Sequence, residues 1–163
     1  MKLKDRNYLG RDLKKARQND KIDTARRSSV MSKIRSSGTN LELRFFNDYI
    51  AFSSVEFERN CKLLKGKPDM VFWDQKVCVF IDSDFWHGWQ FPRWSHLLKN
   101  EFWIEKIRKN RERDRKTTAY LRYRGWAVIR VWEHNIRRNL ARELNRVNDA
   151  LQEKDRSKNQ NHK

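Results

Sequence analysis

Two aspartates near the middle of the chain have the spacing of a metal-dependent hydrolytic site. Asp69 precedes the apolar run MVF, and Asp82 ends the apolar run VCVFI thirteen residues later. If the two runs are neighbouring strands, both carboxylates lie at one end of a sheet, where Mg²⁺ could take them as ligands. A bound ion there could activate water and stabilise charge on a phosphodiester. Aspartates also end strands without any catalytic role, and on spacing alone the two interpretations weigh about equally.

His87 lies five residues beyond Asp82, in the run FWHG. An imidazole titrates near neutral pH and therefore suits proton transfer. A single histidine between aromatic residues is more often a packed, hydrogen-bonded side chain. Taken alone, His87 therefore favours a structural role.

A further set of polar residues lies on a charged helix predicted over residues 101–124. Spacings of three and four residues place one stripe on its surface. The stripe consists of Trp103, Ile107, Asn110, Asp114 and Thr117. A buried carboxylate without a partner is costly, so an aspartate on a core-facing stripe modestly favours function over a solvated helix face. Lys and Arg crowd the other faces, which suits phosphate contacts.

Hydrophobic periodicity predicts the elements that position these residues. Thr39 and Glu42 have the form of a capping box before a helix that carries apolar residues as far as Ile50. Strands follow near residues 55–57, at 70–73 and at 76–81, and then an aromatic loop over 83–100. After the charged helix come a strand at 126–132 and a helix at 135–152. The order α-β-β-β-α-β-α predicts an α/β fold with a mixed sheet.

Composition points to a nucleic acid partner. The 163 residues carry a formal net charge of +17, from 38 Lys and Arg against 21 Asp and Glu, which favours a polyanion. Residues 1–27 form a basic arm, and residues 153–163 a polar tail that we expect to fray. Two cysteines exclude a disulfide-rich scaffold. With no signal peptide and no long apolar run, we expect a cytoplasmic, DNA-associated monomer without a membrane partner.

Five segments together resemble the very-short-patch repair (Vsr) DNA mismatch endonucleases, collinearly from about residue 22 to residue 152. They are RRSSVMSKIRSSGTNLELRF, GKPDMVF, VFIDSDFWHG, FWIEKIRKNRERD and RGWAVIRVWEH. The resemblance implies a restriction-endonuclease-like fold of the PD-(D/E)XK type over residues 28–152. It also implies a Mg²⁺-dependent endonuclease that nicks one strand of double-stranded DNA beside a T:G mismatch, left by deamination of 5-methylcytosine. A cytosine-5 methyltransferase and repair proteins would be its functional partners.

The resemblance also implies roles for individual residues at the metal and the attacking water. Asp69 matches a metal-binding aspartate, Ile81 a residue that offers its backbone carbonyl to Mg²⁺, and the adjacent Asp82 could add a ligand. His87 matches the general base, and Glu42 matches a residue that holds metal-bound waters. Asp114 matches an aspartate that supports the site.

Other positions match residues that contact DNA. The aromatic side chains of Phe85, Trp86 and Trp103 would wedge into the base stack, and Met31 of the N-terminal arm would reach the minor groove. The ammonium of Lys106 and the amide of Asn110 would read the mismatched bases. Unstacking costs least at a mismatch, which gives selectivity. Core packing is the alternative for aromatic residues, and we expect it for Trp126 and Trp132.

The chain departs from the family pattern at a structural zinc site, where cysteine and histidine ligands are replaced. Asp84, Trp89, Phe91 and His134 stand at those positions. Two aromatic residues cannot ligate zinc, so we predict no structural zinc, with packing of Trp89, Phe91 and Trp94 in its place. Cys61 and Cys78 lie elsewhere and are expected to be small buried side chains.

Two other functions stay open. The same nuclease domain could serve restriction-type or homing-type cleavage of paired DNA, with the basic arm adding backbone affinity. A non-catalytic DNA-binding module ranks last, because the acidic residues and the histidine are all present.

Overall fold

The computed structural model describes residues 40–160 of the chain. Within this range, the chain forms two compact units. One is Ser83–Arg113, and the other combines residues 40–82 with residues 114–160. The predicted capping residue Thr39 lies outside the described residues. Over residues 40–160, no helix combines the length and the apolarity that crossing a bilayer requires.

The helices and strands follow the predicted order, with one short helix added in the aromatic loop. In chain order they are α1 (Asn40–Phe52), β1 (Glu58–Arg59), β2 (Met70–Phe72), β3 (Val77–Asp82), α2 (Phe91–Trp94), a 3-10 turn at Ser95–Leu97, α3 (Glu101–Tyr123), β4 (Ala127–Trp132) and α4 (Glu133–Gln160). The α/β fold with a mixed sheet is confirmed.

The sheet has four strands in the order β1-β2-β3-β4 among the described residues. The first three strands pair antiparallel, with Met70 opposite Val79, whereas β3 and β4 pair parallel, with Phe80 opposite Arg130. All six residues of β3 are buried, as the run VCVFI predicted for a strand covered on both faces. The start of β2 and the end of β3 therefore share one edge of the sheet.

Helix α1 packs on the sheet through one apolar face. Phe45, Phe46 and Tyr49 are at most 1% exposed and join a core formed by β2, β3, β4 and α4. Their spacing of one, three and four residues is that of one side of a helix. Ile50, which the periodicity placed with them, is 52% exposed, because the buried stripe is narrower than the apolar pattern.

The predicted strand at residues 55–57 lies slightly later in the structure. Phe57 packs against the rings of Tyr49 and Phe72, with centroids 5.5 and 5.6 Å away. The paired residues are only Glu58 and Arg59. The apolar alternation thus marks contact with the core rather than pairing in the sheet.

Helix α4 continues to Gln160, eight residues beyond the predicted end, through residues expected to fray. Contacts with two turns hold these extra residues: Lys154 Nζ donates to the carbonyl of Gly125 at 3.1 Å, and Gln75 Nε2 donates to Asp155 at 3.5 Å. The helix is kinked at Asn139, whose side chain accepts a hydrogen bond from the amide of Arg142 at 3.0 Å. Asn139 therefore acts as a second N-cap.

Candidate active site

Asp69 lies at the edge of the sheet where β2 begins and β3 ends. Its amide donates to the carbonyl of Val79 at 2.9 Å, and its Oδ2 accepts a hydrogen bond from the amide of Ile81 at 2.6 Å. The half-buried carboxylate is thus fixed against the end of β3. Carboxylate and carbonyl oxygens are the ligands that Mg²⁺ prefers, so Asp69 and Ile81 form a suitable donor set.

The loop before Asp69 is held by a close approach that only glycine permits. Gly66 has φ +85°, and a Cβ there would lie 2.4 Å from Thr117 and 3.2 Å from the ring of Phe80. Pro68 accepts a hydrogen bond from the amide of Cys61 at 3.0 Å. The segment Gly66–Asp69 therefore positions the aspartate in two ways, through the packing of Gly66 against α3 and through the hydrogen bond from Asp69 to β3.

Asp82, at the end of β3, is 1% exposed and forms a bidentate ion pair with Arg130 of β4. Arg130 Nε lies 2.5 Å from Asp82 Oδ2, and Nη2 lies 2.6 Å from Oδ1. The same Nη2 lies 3.3 Å from Asp114 Oδ2 on α3. Asp82 and Asp114, predicted from separate segments, therefore share one guanidinium.

Arg130 was not among the site residues predicted from the sequence. The signal for it was an arginine inside the otherwise apolar run WAVIRVW, where a charge needs a partner. Burial by itself would lower the pKa of Arg130, but the hydrogen bonds and negative charge of Asp82, together with Asp114, raise it. The guanidinium is therefore charged at all physiological pH values.

The remaining predicted catalytic residues are carried by α1, by α3 and by the loop that follows β3. Glu42 is 6% exposed in the first turn of α1, and Asp114 is half-buried on α3; both belong to the same unit as Asp69. His87 is half-buried in the other unit, where its amide donates to the carbonyl of Ser83 at 3.1 Å. Met31 lies outside the described residues.

The unit Ser83–Arg113 is built on an aromatic cluster. Its buried members are Phe85, Phe91, Trp94, Leu98, Trp103 and Ile107. Phe85 stacks on Trp94 with centroids 5.6 Å apart, and Phe91 meets Trp94 edge-on at 5.1 Å.

Two of the three predicted base-stack wedges belong to this core. Phe85 and Trp103 are only 3% and 2% exposed, whereas Trp86 is half-buried. Phe102, which the sequence analysis did not single out, is 46% exposed beside Trp103. Trp86 and Phe102 thus contribute accessible aromatic surface to this unit, as does the half-buried Trp89.

Lys106 and Asn110 adjoin these rings. The Lys106 ammonium lies between 5.4 and 5.9 Å from the centroids of Trp86, Phe102 and Trp103, which is cation–π distance. Partial burial lowers the pKa of Lys106. Asn110 donates its side-chain amide to the carbonyl of Trp86 at 3.0 Å. Both residues on α3 therefore hold the segment that precedes His87.

Aromatic packing is present at the positions that would hold zinc in the resembled family. Phe91 lies in the cluster, and Trp94 Nε1 donates to the carbonyl of Trp89 at 2.6 Å. Asp84 is 2% exposed, and His134, in the other unit, stacks on Trp132 with centroids 6.4 Å apart. The packing agrees with the prediction, and the expected lack of structural zinc stays a prediction.

Comparison with known proteins identifies relatives along most of the chain. The family model described as DNA mismatch endonuclease Vsr matches residues 19–93. A type II nicking enzyme of Neisseria meningitidis serogroup C, V.NmeDIP, is 34% identical over 137 residues, covering 83% of this chain and 92% of the relative. V.NmeAIP, of serogroup A, is 36% identical, covering 81% and 99%. DNA mismatch endonuclease Vsr of Escherichia coli K12 is 34% identical, covering 72% and 76%.

Proposed function

The chain belongs to the Vsr family of restriction-endonuclease-like proteins and is a DNA endonuclease of the strand-nicking type, and from this premise we propose that it nicks one strand beside a T:G mismatch. The mismatch follows from the description of the family model and of the Escherichia coli relative as DNA mismatch endonucleases, and the observation that carries the nicking chemistry is the position of Asp69. Its carboxylate is hydrogen-bonded to the end of β3 at the edge where Asp82 also lies. The proposed substrate is double-stranded DNA in which 5-methylcytosine has been deaminated.

A Mg²⁺ ion is the proposed cofactor, held by the Asp69 carboxylate and the Ile81 carbonyl. The donor set is entirely oxygen, and Mg²⁺ needs only one or two carboxylates from a protein. When bound, the ion would lower the pKa of a coordinated water and stabilise charge on the phosphodiester. The hydrogen bond between Asp69 and Ile81 holds the two residues that would bind the ion next to each other.

The chain's own residues would supply the proton transfer and the orientation. We assign His87 the role of general base, because an imidazole nitrogen can accept a proton from the attacking water. Asp114 would support the site, and Glu42 would hold water at a bound metal ion. These assignments come from the family resemblance together with the burial of Glu42 and Asp114.

The aromatic unit would recognise the mismatch. Lys106 and Asn110 can pair with carbonyl and amide groups on base edges. Insertion of Phe85 or Trp103 between bases would require the cluster to open, since both are buried. The indole N–H of Trp103 has no hydrogen-bond partner within residues 40–160. A buried donor without a partner is unfavourable, which would reduce the cost of that opening.

The test compares duplex libraries that carry one T:G pair in randomised flanking sequence with matched libraries carrying T:A. We expect Mg²⁺-dependent nicking of the mismatched strand and no nicking in EDTA. Equal cleavage of matched DNA would contradict mismatch specificity and support restriction-type cleavage. Binding without any nicking would support a DNA-binding module.

Site variants test the catalytic assignments on the same duplex. We expect D69N and H87A to lower the nicking rate by about a hundredfold or more, because each removes a ligand or a proton acceptor. Two exposed residues serve as matched controls: D74N in the turn between β2 and β3, and H96A in the 3-10 turn. If D69N and H87A nick as fast as these controls, the assignments are wrong.

A further inference from the structure

Arg130 connects β4 to the two aspartates of the candidate site through three groups of contacts. Its guanidinium is bidentate to Asp82, lies 3.3 Å from the Asp114 carboxylate, and lies 3.5 and 3.4 Å from the Asp114 carbonyl and the Thr118 hydroxyl. The central guanidinium carbon of Arg130 lies 5.0 Å from the centroid of the Phe80 ring. The Arg130 side chain is only 18% exposed, so these contacts fix its position.

This geometry changes the role expected for Asp82. Both of its oxygens accept hydrogen bonds from the Arg130 fork, which is the arrangement in which arginine binds a carboxylate most strongly. A metal ion would have to compete with a fixed positive charge for those oxygens. Asp82 was predicted from the sequence as a possible metal ligand, and the structure favours the role of a counter-ion to Arg130 instead.

The same guanidinium reaches one turn of α3. Because it contacts the side chain and the carbonyl of Asp114 and the hydroxyl of Thr118, it fixes both the height and the direction of the Asp114 carboxylate. Asp114 supports the site under the proposed function. A small displacement of such a group can slow a reaction about a hundredfold.

We propose that Arg130 is a positioning residue of the nuclease site, which engages Asp82 as its counter-ion, keeps Asp82 out of the metal coordination and aims the Asp114 carboxylate. This inference rests on the proposed function for the role of Asp114. A buried ion pair that only supports folding is the alternative, since such pairs are strongly destabilising when one partner is removed.

The experiment uses four full-length proteins: the parent, R130K, R130M and the double variant D82N/R130M. The double variant removes the buried Asp82 charge together with Arg130, so that of the two carboxylates that contact Arg130 only that of Asp114 is retained, and circular dichroism checks that each variant folds. Binding of Mn²⁺ without DNA is measured by electron paramagnetic resonance of the unbound ion. Rates and KM are measured on T:G duplex well below each variant's melting temperature.

The proposal makes different predictions for metal binding in the two methionine variants. R130M releases two carboxylates and should bind Mn²⁺ at least about threefold more tightly, because a positive charge has left the site. D82N/R130M should bind Mn²⁺ within about twofold of the parent. If it binds about tenfold more weakly, as removal of a ligand or its support would cause, Asp82 is a metal ligand and the proposal is wrong.

Nicking separates positioning from folding. In both methionine variants we expect kcat to fall about tenfold to a hundredfold, with KM for DNA unchanged, because Asp114 is no longer aimed. R130K should recover part of kcat, since it keeps the charge but not the fork. Parental kcat in folded R130M would overturn the proposal. Failure of the parent itself to nick T:G duplex would instead contradict the proposed function, while the Mn²⁺ result would still decide the role of Asp82.

Discussion

At the scale of single residues, burial determines which side chains can react. Cys78 is completely buried in β3, and burial raises the pKa of its thiol to about 12, despite an opposing effect of the charge on Arg130. Cys61 is also completely buried. The thiol of Cys78 is therefore neutral at physiological pH, as expected for a structural cysteine.

Replacement of Cys78 should change the dependence of stability on pH. The ordinary thiol pKa is 9.0 and the folded value is about 12, so above pH 9 the unfolded chain loses a proton that the folded chain keeps. The free energy of unfolding should fall by about 1.6 kcal/mol between pH 9 and pH 10.5 through this group alone. Urea unfolding of the parent and of C78V should show that C78V loses this part of the decline. An identical decline in both proteins would contradict the prediction.

At the scale of elements, two glycines with positive φ differ in how closely other atoms approach them. Gly88 follows His87 with φ +68°, and a Cβ there would lie 2.8 Å from both Ile107 and Arg111 of α3. Gly125, two residues after the end of α3, has φ +84° and open space around it. Of these two, only Gly88 combines a left-handed backbone with a close approach of the loop to the helix.

The two positions form a matched pair of alanine substitutions. G125A should cost about 1 kcal/mol of unfolding free energy, from the left-handed backbone alone. G88A should cost about 3 kcal/mol, because the added methyl also meets the buried Ile107. Denaturant unfolding measures both costs.

The nicking rate should also distinguish the two variants, because G88A displaces the residue next to the proposed base whereas G125A does not. We expect slower nicking only for G88A. Equal stability losses in the two variants would show that the close approach relaxes without cost.

At the scale of the whole molecule, the net charge of +17 makes DNA binding electrostatic. The first 40 residues contain twelve Lys and Arg and four Asp, a net charge of +8. Nearly half of the excess positive charge therefore precedes α1. Each phosphate that this segment neutralises would release counterions and steepen the dependence of affinity on salt.

Neutralising part of the arm should reduce that dependence. In the variant K14Q/K15Q/R26Q/R27Q we expect weaker binding to matched and mismatched duplex alike. The slope of log affinity against log salt should decrease in steepness by about one for each phosphate that the variant no longer neutralises. Fluorescence anisotropy at several salt concentrations measures the slope.

A set of four exposed cations on α4 is the control. It consists of Arg138, Arg142, Arg156 and Lys158, each replaced by glutamine. An equal decrease of the slope in both variants would indicate that net charge, rather than the arm, governs affinity.

The order of elements, the mixed sheet and the edge that carries Asp69 and Asp82 could be predicted from the sequence alone. Local signals suffice for these features: helical spacing in α1 and α3, a continuous apolar run in β3, and Gly125 after α3. The family resemblance supplied the nuclease assignment for the same reason, since motifs are properties of short segments. The extension of α4 to Gln160 was missed because contacts with distant turns stabilise it.

Only the tertiary structure determined how the charges of the site are paired. Arg130 lies 48 residues after Asp82, and no local pattern indicates that its guanidinium joins Asp82 to Asp114. The burial of Phe85 and Trp103 was likewise undecided, because an aromatic residue in a loop can serve a core or a ligand equally well. Residue types and spacing thus determined which groups are available for chemistry. The partners of those groups depend on parallel pairing of β3 with β4 and on packing of α3, which join segments far apart in the chain.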